Sequence, residues 1–471
     1  MSQVISVVIL AAGLGTRMKS KKAKVLHRAG GLTLIEHVVG MASRVTSPDR
    51  ITVVVGHQSE QVRDAVEQNP GYAGVQFVDQ AQQHGTGDAL KMCRSTVAGR
   101  SKFVLVVYGD CPLLSSETIQ RLIDRQIAGN SAATLIATRL VDPRGYGRVI
   151  LNAQGFVEGI VEQKAATPEQ LEIKLINSGI YCFRDDLLWK HIDEIVPNNP
   201  AHEYYLTDMA EILTRAGYTI APMEVADSLE LLGINNRVEL AEVDHIFRQR
   251  KTRELMLDGV TIEKPETVTI DSRVRIGMDT IVGPFAQILG DTIIGENCRV
   301  GAGAIIANSQ LADGVEVLPL TMINTSRLDT GAHVGPFARL RMQNHVESGA
   351  HIGNFVELKK THLGPGAKGS HLAYLGDSNI GARANIGAGT ITCNYDGVSK
   401  HQTRIGAGAF IGSNSTLVAP LVIGDGSYIA AGSVITKPVA PGALALGRSH
   451  QIIKEGWATN RATRQKAEPQ K

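Results

Sequence analysis

Two patterns of apolar positions divide the chain. From Val4 to about Asn235, short continuous apolar runs such as FVLVVYGD alternate with stretches such as SETIQRLIDRQIAG, in which apolar residues recur at helical spacing. Glycine or proline bounds each stretch. Strands that alternate with helices predict an α/β fold with a mostly parallel sheet that is covered on both faces.

A long segment without internal glycine or proline follows, NNRVELAEVDHIFRQRKTRELMLDG. Its apolar residues, such as Val238, Val243, Leu255 and Met256, stand among many charged residues. This pattern predicts a long amphipathic helix over residues 236–258 that ends at Gly259 and links two domains.

After this helix the apolar positions recur with a period of about six, as in RIGMDTIVGPFA, NIGARANIGAGT and RIGAGAFIGSNS. In each unit a lone aliphatic residue precedes a glycine or another small residue, which predicts a left-handed parallel β-helix of hexapeptide repeats over residues 259–450. The aliphatic side chains would stack inside, and glycine or asparagine would turn the corners, where positive φ is easiest. The alternative, a β-sandwich with glycine-rich turns, is disfavoured because alternation of period two is lacking.

The repeat weakens in two places, KKTHLGPGAKGSHLAYLGD and TCNYDGVSKHQTR, and we expect loops that carry chemistry at both. The exposed ends and flat faces of such a solenoid favour association, so we expect a homotrimer around the prism axis. The segment 451–471 is polar and ends in AEPQK, and it is predicted to be a flexible tail.

Composition narrows the function. The net charge of the 471-residue chain is +2 and only 4% of its residues are aromatic, which argues against a nucleic-acid partner and favours small-molecule substrates. The five cysteines are scattered and not spaced like metal ligands. We also find no leader and no apolar run that could insert into a membrane, so we expect a reduced, cytoplasmic protein.

The segment VVILAAGLGTRMKS places a glycine-rich turn after an apolar run. If the strand stops at Gly13–Gly15 and the chain restarts as a helix, backbone N–H groups would point at the gap and could hold an anion. Lys24 follows closely enough to reach a phosphate held there, although a solvated surface lysine would look the same.

Two further clusters join this turn. Asp110 follows the buried run KFVLVVYG, where a carboxylate is costly unless it meets a cation, so a metal ligand is one interpretation and a helix cap is the other. Gln80 offers an amide donor and acceptor, and Gly85-Thr86-Gly87 after it could read a base through main-chain groups or could be a simple turn.

Together these segments resemble the sugar-1-phosphate nucleotidylyltransferase family, whose opening motif LxxGxGTRM, followed by a lysine, stands here as LAAGLGTRM with Lys24. The match continues in order through QAQQHGTG, YGDCPLL, GYGR, GIVEQK, INSGIY, EYYLTD and GINNR. The resemblance implies a Rossmann-like nucleotidyltransferase domain over residues 1–235. The family has a proline before the lysine, whereas Ala23 stands there in this chain, so we expect a less rigid loop.

The resemblance also implies the residue roles of this domain. Mg²⁺ would be bound by Asp110 and Asn235. The nucleotide would be bound by Leu10, Ala11, Ala12, Gly13, Arg17, Lys24, Gln80, Gly85, Thr86, Tyr108, Gly109 and Asp110. The sugar side would be formed by Gly147, Glu162, Asn177 and Asn235.

The second half carries GPFARLR, IGNFVELKK, SHLAYLGD, NIGAGTITCNYDG and KEGW in order. The whole chain therefore resembles the family of bifunctional N-acetylglucosamine-1-phosphate uridylyltransferases/glucosamine-1-phosphate N-acetyltransferases. This resemblance implies acetyl-CoA and UTP as co-substrates and a product used in bacterial cell-envelope polysaccharide synthesis. The family's proline-glycine after Arg341 is replaced by Met342-Gln343, so we expect a changed loop there.

Acetyl transfer from a thioester to an amine needs a base that removes a proton from the ammonium group, and a histidine suits that task near neutral pH. His371 is our candidate because it stands in a polar break of the repeat, and Glu357 could orient its ring. The family match further implies that Arg341 and Lys359 pair with the sugar phosphate and that Tyr374 and Asn385 bind the sugar ring. It implies contacts of Ala388, Asn394, Tyr395, Ser413, Ala431 and Arg448 with the coenzyme, and a contribution of Lys400 from a neighbouring chain.

The predicted function is acetylation of glucosamine-1-phosphate at the β-helix, followed by coupling of the product to UTP at the first domain to give UDP-N-acetylglucosamine. One alternative is a nucleotidylyltransferase whose β-helix is only regulatory. The other is a non-enzymatic trimeric scaffold, which Lys24, Asp110 and His371 argue against.

Overall fold

The computed structural model describes residues 5–199 and 202–467, and it divides into two compact units, Met1–Arg250 and Lys251–Lys471. The first unit contains β1 (Ile5–Leu10), β2 (Arg28–Ala29), β3 (Leu32–Thr33), β4 (Ile51–Val55), β5 (Gln76–Asp79), β6 (Phe103–Tyr108), β7 (Ala133–Arg139), β8 (Arg148–Leu151), β9 (Val157–Val161), β10 (Leu175–Arg184) and β11 (Ile220–Glu224). Its helices are α1 (Leu34–Ala42), α2 (Ser59–Glu67), α3 (Thr86–Met92), α4 (Arg94–Val97), α5 (Ser116–Ala128), α6 (Pro168–Leu171), α7 (Asp185–His191) and α8 (Asp208–Arg215), and α9 (Arg237–Leu257) follows them.

The main sheet of this unit has the strand order β11-β7-β10-β6-β1-β4-β5, and β8 and β9 are attached through β10. The strands β4, β1 and β6 run parallel, as do β7 and β11, whereas β10 is antiparallel to both of its neighbours on this path. Alternate residues of β1 enter different cores, with Val7 and Ile9 on one side and Val8 and Leu10 on the other. The prediction of a mostly parallel sheet covered on both faces is therefore confirmed.

The helix α9 matches the long segment without glycine or proline. Val243 is fully buried with Met18 and Leu34, and Phe247 stacks on His37 with ring centroids 4.0 Å apart. Its apolar positions do not all form one buried face, because Val238 is 68% exposed. The simple amphipathic pattern expected for this helix is wrong at such positions.

The second unit is a parallel β-helix of three sheets, which we call face 1, face 2 and face 3, and its hexapeptide pattern makes it left-handed as predicted. Face 1 contains Thr261–Ile262, Ile281–Val282, Arg299–Val300, Glu316–Val317, His333–Val334, His351–Asn354, Lys368–His371, Asn385–Ile386, Phe410–Ile411, Tyr428–Ile429 and Leu444–Ala445. Face 2 contains Thr269–Ile270, Gln287–Leu289, Ile305–Ala307, Met322–Asn324, Arg339–Arg341, Glu357–Lys359, Tyr374–Gly376, Ile391–Cys393, Thr416–Val418 and Val434–Ile435. Face 3 contains Arg275–Ile276, Ile293–Ile294, Gln310–Leu311, Ser326–Leu328, Asn344–Val346, His362–Leu363, Ser378–Ile380, Thr403–Ile405 and Leu421–Ile423.

The interior of this β-helix is filled as the repeat predicts. The aliphatic residue of each unit is buried in one continuous core, for example Ile288, Ile306 and Ile323 on face 2. Their strands pair in parallel register, so equivalent side chains stack from coil to coil.

The corners depart from the expectation of glycine or asparagine. At the corner between faces 1 and 2, which we call the first corner, bulky apolar residues have φ between 47° and 61°. They are Phe285, Leu320, Phe337, Phe355 and Leu372, and all five are exposed. Positive φ at the corners is therefore not confined to glycine and asparagine. For each bulky residue this backbone conformation is unfavourable by about 1–2 kcal/mol.

Only one of the two expected breaks in the repeat is a loop. Between Ile391–Cys393 and Thr403–Ile405 the chain makes an excursion in which Tyr395 and Lys400 form an antiparallel bridge. At the other place the prediction of a loop is wrong, because His371 ends the regular face 1 strand Lys368–His371. Lys368 and His371 are exposed on this strand, whereas Lys359 in the same stretch is buried.

The segment expected to be a flexible tail includes the helix α10 (Trp457–Ala467), and residues 468–471 lie outside the described residues. The flexibility of this segment stays a prediction.

Candidate active sites

The glycine-rich turn follows β1 and leads to a single 3₁₀ turn, Thr16–Met18, rather than to the helix expected there. Backbone N–H groups offered to an anion would therefore come from the turn and not from a long helix. Gly15 has φ 61°, and a Cβ at this position would lie 2.6 Å from Cβ of Lys24. Glycine is required at this point so that the lysine stem can pass across the turn.

An open cavity of about 420 Å³ lies beside this turn. Among the residues predicted to bind nucleotide, it is lined by Leu10, Ala11, Ala12, Gly13, Lys24, Gln80, Gly85, Thr86, Tyr108 and Asp110. The sequence analysis missed other lining residues, which include Leu14, Thr16, Gln83, Glu203 and Tyr205. Gly109 does not line the cavity, but its N–H donates to the carbonyl of the lining residue Leu10 at 2.9 Å.

Charged and amide groups converge beside this cavity, where Lys24 and Asp110 line it and Arg17 and Asn235 lie outside its lining. The Lys24 ammonium forms an ion pair with Asp110 and donates to Oδ1 of Asn235 at 3.1 Å. Arg17 donates to the same Asn235 oxygen at 2.8 Å. The capping alternative for Asp110 does not hold, because the cap of α5 is Ser115, whose hydroxyl accepts from the Thr118 N–H.

The position of Lys24 depends on a contact that the sequence did not suggest. The Ala23 N–H donates to Oε1 of Gln58 at 2.7 Å, and Gln58 donates to the carbonyl of Lys21 at 3.1 Å. A proline at position 23 would have no N–H to donate. The loop that we expected to be looser is thus tied down by a side chain from another element.

Gln80 is 3% exposed and its amide already has partners. Its Nε2 donates to the carbonyl of Gly85 at 3.1 Å and to Asp88 at 2.9 Å. The expected use of this donor toward a base is therefore not available, and the carbonyl oxygen of the amide remains as its recognition group. Thr86 begins α3, and its hydroxyl accepts from the Leu206 N–H at 3.0 Å.

The predicted sugar side is a second cluster in the same unit. The Asn177 N–H donates to the carbonyl of Gly147 at 2.9 Å, and a Cβ on Gly147 would lie 3.3 Å from Glu162. These three residues are brought together outside the lining of the cavity, whereas Asn235 lies with Asp110. Burial raises the pKa of Glu162.

In the second unit, His371 and Asn354 form a hydrogen-bonded pair. They are in register on face 1, and Nδ1 of His371 lies 2.7 Å from Oδ1 of Asn354. When Nδ1 donates to this oxygen, Nε2 carries the lone pair of a base. The proposed role of Glu357 in orienting the ring is wrong, because Glu357 instead accepts from Arg341 at 2.6 Å.

Three predicted coenzyme contacts lie above His371 along the first corner. Ala388, Ser413 and Ala431 each precede the positive-φ residue of their coil, as His371 does, and backbone hydrogen bonds join successive coils there. Arg448 lies near Gly432 at the end of this row. Small side chains thus leave an open edge beside His371. Asn394 and Tyr395 belong to the inserted loop.

The residues predicted to bind the sugar phosphate lie mainly on face 2. Arg341 and Lys359 are in register in neighbouring coils, and Tyr374 lies one coil further on. Lys359 is 4% exposed, and its ammonium donates to Asp377 at 2.9 Å. Burial opposes ionisation of Asp377, but hydrogen bonds from Lys359 and Asn394 lower its pKa.

Two more positions complete this region. Asn385 lies on face 1, where it pairs with Lys368 and Phe410. Lys400 lies beside Lys359 of its own chain, and this neighbouring ammonium lowers the pKa of Lys400. The chain therefore places two lysines side by side here, and a contribution of Lys400 to a neighbouring copy stays a prediction.

The turn after Arg341 differs in backbone from any turn with proline at its first position. Met342 has φ 65° and Gln343 has φ 63°. Proline is fixed near −65°, so it could not adopt the conformation of Met342. The Gln343 N–H donates to the carbonyl of Thr325 at 2.7 Å, which returns the chain to the regular coil.

An α/β unit with a glycine-rich turn beside an open cavity, followed by a hexapeptide β-helix, defines a two-domain transferase. The family model described as the MobA-like NTP transferase domain matches residues 7–153. The bacterial transferase hexapeptide model, of six repeats, matches residues 273–308 and 402–437.

Curated relatives extend the match to the whole chain. A protein named Bifunctional protein GlmU from Solibacter usitatus is 60% identical over 98% of both chains, and one from Koribacter versatilis is 47% identical over 98% of both. A third, from Synechococcus elongatus, is 43% identical over 97% of this chain and 99% of its own.

The chain belongs to the GlmU family of bifunctional proteins, as its motifs predicted. It is an enzyme with two activities of UDP-N-acetylglucosamine synthesis, a nucleotidyltransferase and an N-acetyltransferase. Within the part of the chain that the structure describes, we find no helix with the length and apolar character needed to cross a membrane.

Proposed function

We propose that uridylyl transfer takes place at the cavity beside β1. The phosphate oxygen of N-acetylglucosamine-1-phosphate attacks the α-phosphorus of UTP, and pyrophosphate leaves without a covalent enzyme intermediate. Lys24 and Arg17 neutralise phosphate charge, the turn at Leu10–Gly13 supplies backbone N–H groups, and Glu162 with Asn177 holds the sugar. The hydrogen bonds of Lys24 and Arg17 to the same oxygen of Asn235, beside the cavity that Lys24 lines, support these roles.

We propose that Mg²⁺ is held by Asp110 and Asn235. The Lys24 ammonium contacts an oxygen of both residues, so the two oxygens already converge on a cation. Carboxylate and amide oxygens are ligands that suit Mg²⁺, and the donor set fits the ion. When bound, the ion would supply neutralising charge at the triphosphate. Lys24 would then turn from Asp110 to the phosphates.

We propose that His371 is the base of acetyl transfer. Its Nε2 takes a proton from the amine of glucosamine-1-phosphate as the nitrogen attacks the thioester carbonyl, and the C–N bond forms while the C–S bond breaks. The proton then passes to the departing thiolate. The Asn354 contact supports this role, because it holds the ring in the tautomer with a free Nε2.

The substrates of this second reaction have matching surroundings. Arg341 and Lys359 would bind the sugar phosphate, and both are held by carboxylates, Glu357 and Asp377. Tyr374 and Asn385 would bind the sugar ring. The coenzyme arm would lie along the small residues of the first corner, with Asn394, Tyr395 and Arg448 at its ends.

We propose a cytoplasmic homotrimer. The five bulky residues of the first corner are exposed and have positive φ, and the rings of Phe337 and Phe355 stack 5.2 Å apart. Packing of these five side chains against another copy of the chain would remove their apolar surface from water and stabilise the oligomer. Light scattering of the protein should give the mass of three chains, and a Phe337→Asp, Phe355→Asp variant should give smaller species.

One observation supports two separate sites. The first unit contains Lys24 beside Asp110, and the second unit contains His371 beside Asn354. The protein is incubated with acetyl-CoA and glucosamine-1-phosphate for thiol release, and with UTP and N-acetylglucosamine-1-phosphate for pyrophosphate release. We expect His371→Ala to abolish only thiol release and Asp110→Ala only pyrophosphate release. Exposed Asp142 and His333 provide control substitutions to alanine. Loss of both activities in either test variant, with intact controls, would contradict the proposal.

A further inference from the structure

Two histidines and a carboxylate converge on face 3 of the β-helix, away from the residues assigned above. His345 and His362 are in register in neighbouring coils, and their ring centroids are 5.2 Å apart. Glu347 lies 2.6 Å from Nε2 of His362. One ligand atom from each of these three residues lies within 4.8 Å of the other two.

The contacts of His362 fit a ligand position at Nε2. This nitrogen faces Glu347, and Nδ1 faces the side chain of Asn379 at 3.4 Å. With a metal ion at Nε2, Nδ1 carries the N–H and can donate to the Asn379 oxygen, so both contacts of the ring agree with metal binding.

Asp329 holds the other ring. It lies 2.7 Å from Nε2 of His345 and also accepts from Arg327 at 2.9 Å. The Arg327 guanidinium already neutralises part of the charge of Asp329. We therefore assign Asp329 as the hydrogen-bond partner of His345 and not as a metal ligand. A carboxylate that accepts from one nitrogen of a histidine leaves the other nitrogen with the lone pair a metal needs.

We propose that His345, Glu347 and His362 bind a divalent transition-metal ion, zinc in the first place. Two nitrogens and a carboxylate oxygen suit zinc, with water as fourth ligand. Ligand atoms around tetrahedral zinc are about 3.3 Å apart, which side-chain rotation can reach from the present positions. The three side chains are 29–39% exposed, so an ion can enter from solvent, and binding would join two successive coils.

The matched control is a second histidine pair on face 1. His333 pairs with Glu316 at 2.9 Å, and its ring lies 6.2 Å from that of His351. This pair has the same residue types, but its possible ligand atoms do not form such a convergent group among the described residues. A His333→Gln variant therefore removes a comparable histidine without touching the proposed site.

The full-length protein is freed of metal with a chelator and then equilibrated with zinc in excess Mg²⁺. After desalting, the zinc content of the double variant His345→Gln/His362→Gln serves as the baseline. We expect wild type and His333→Gln each to retain about one zinc ion per chain above this baseline. Zinc should also raise the melting temperature of the first two proteins and not of the third. Both activities of the double variant, measured without zinc, establish that it is folded.

A second variant keeps both rings. Glu347→Gln removes one ligand charge, and we expect its zinc affinity to fall at least about tenfold. Cobalt in place of zinc should give the visible absorption of a tetrahedral site in wild type and His333→Gln, and not in His345→Gln/His362→Gln. Equal zinc retention by wild type and the double variant, or equal loss in His333→Gln, would overturn the proposal and leave a hydrogen-bonded cluster that holds no metal.

Discussion

The hydrogen bond between Ala23 and Gln58 provides the sharpest test of how the turn holds Lys24. Ala23 is 3% exposed and has φ −55° and ψ 140°, a backbone conformation that proline also adopts. Its N–H has Oε1 of Gln58 as partner at 2.7 Å. A Gln58→Ala variant would leave this buried donor unpaired.

The cost can be worked from these contacts. An unpaired buried N–H costs about 1–3 kcal/mol, and the second bond of Gln58, to the Lys21 carbonyl, adds less because that group is exposed. Ala23→Pro alone should also be harmful, because the proline ring would occupy the place of the amide oxygen. In the Gln58→Ala background, however, proline removes the unpaired donor and rigidifies the loop, a gain of about 0.4–1 kcal/mol.

The assay is pyrophosphate release under limiting UTP. We expect kcat/KM of each single variant to fall about 5–30-fold, which corresponds to a loss of about 1–2 kcal/mol of transition-state stabilisation when Lys24 is less well positioned. The double variant should return to within about threefold of wild type. Thiol release serves as internal control and should not change. Additive losses in the double variant would refute the reasoning, since the two positions would then act independently.

Three further predictions concern other positions. Asn354→Ala should lower kcat of acetyl transfer about tenfold or more, because Nδ1 of His371 loses its contact with Oδ1 of Asn354 and the ring is no longer held with Nε2 free. Gly179→Ala should lower pyrophosphate release and spare thiol release, since a Cβ there would lie 2.4 Å from the Tyr108 ring in the nucleotide cavity. Burial and nearby carboxylates raise the pKa of Asp208 to about 6, so its charged form costs stability above that pH. At pH 7.5 the free energy of unfolding of Asp208→Asn should therefore be higher than that of wild type, by about 1 kcal/mol after solvent screening. This difference should vanish as the pH falls from about 6 toward 4.

Local pattern was sufficient for the architecture of both units. Continuous apolar runs such as that of β1 occur where a strand is covered on both sides, and the six-residue repeat occurs where each coil buries one aliphatic side chain per face. Motif order then pointed to the residues around the cavity, because a turn that lets Lys24 pass needs glycine at position 15. These features are determined by residues that are close together in the sequence, so local sequence patterns predict them.

Contacts between distant residues were decided by the tertiary structure alone. Gln58 lies 35 positions from Ala23, and no local pattern links them. The partner of His371 is Asn354 rather than Glu357, and only the stacking of coils selects it: the two residues are 17 positions apart, which is one turn of the β-helix. The same stacking brings His345 to His362. A repeat length read from the sequence could have indicated such pairs, but which of them touch depends on the register of each coil, and register is set by packing of the whole core.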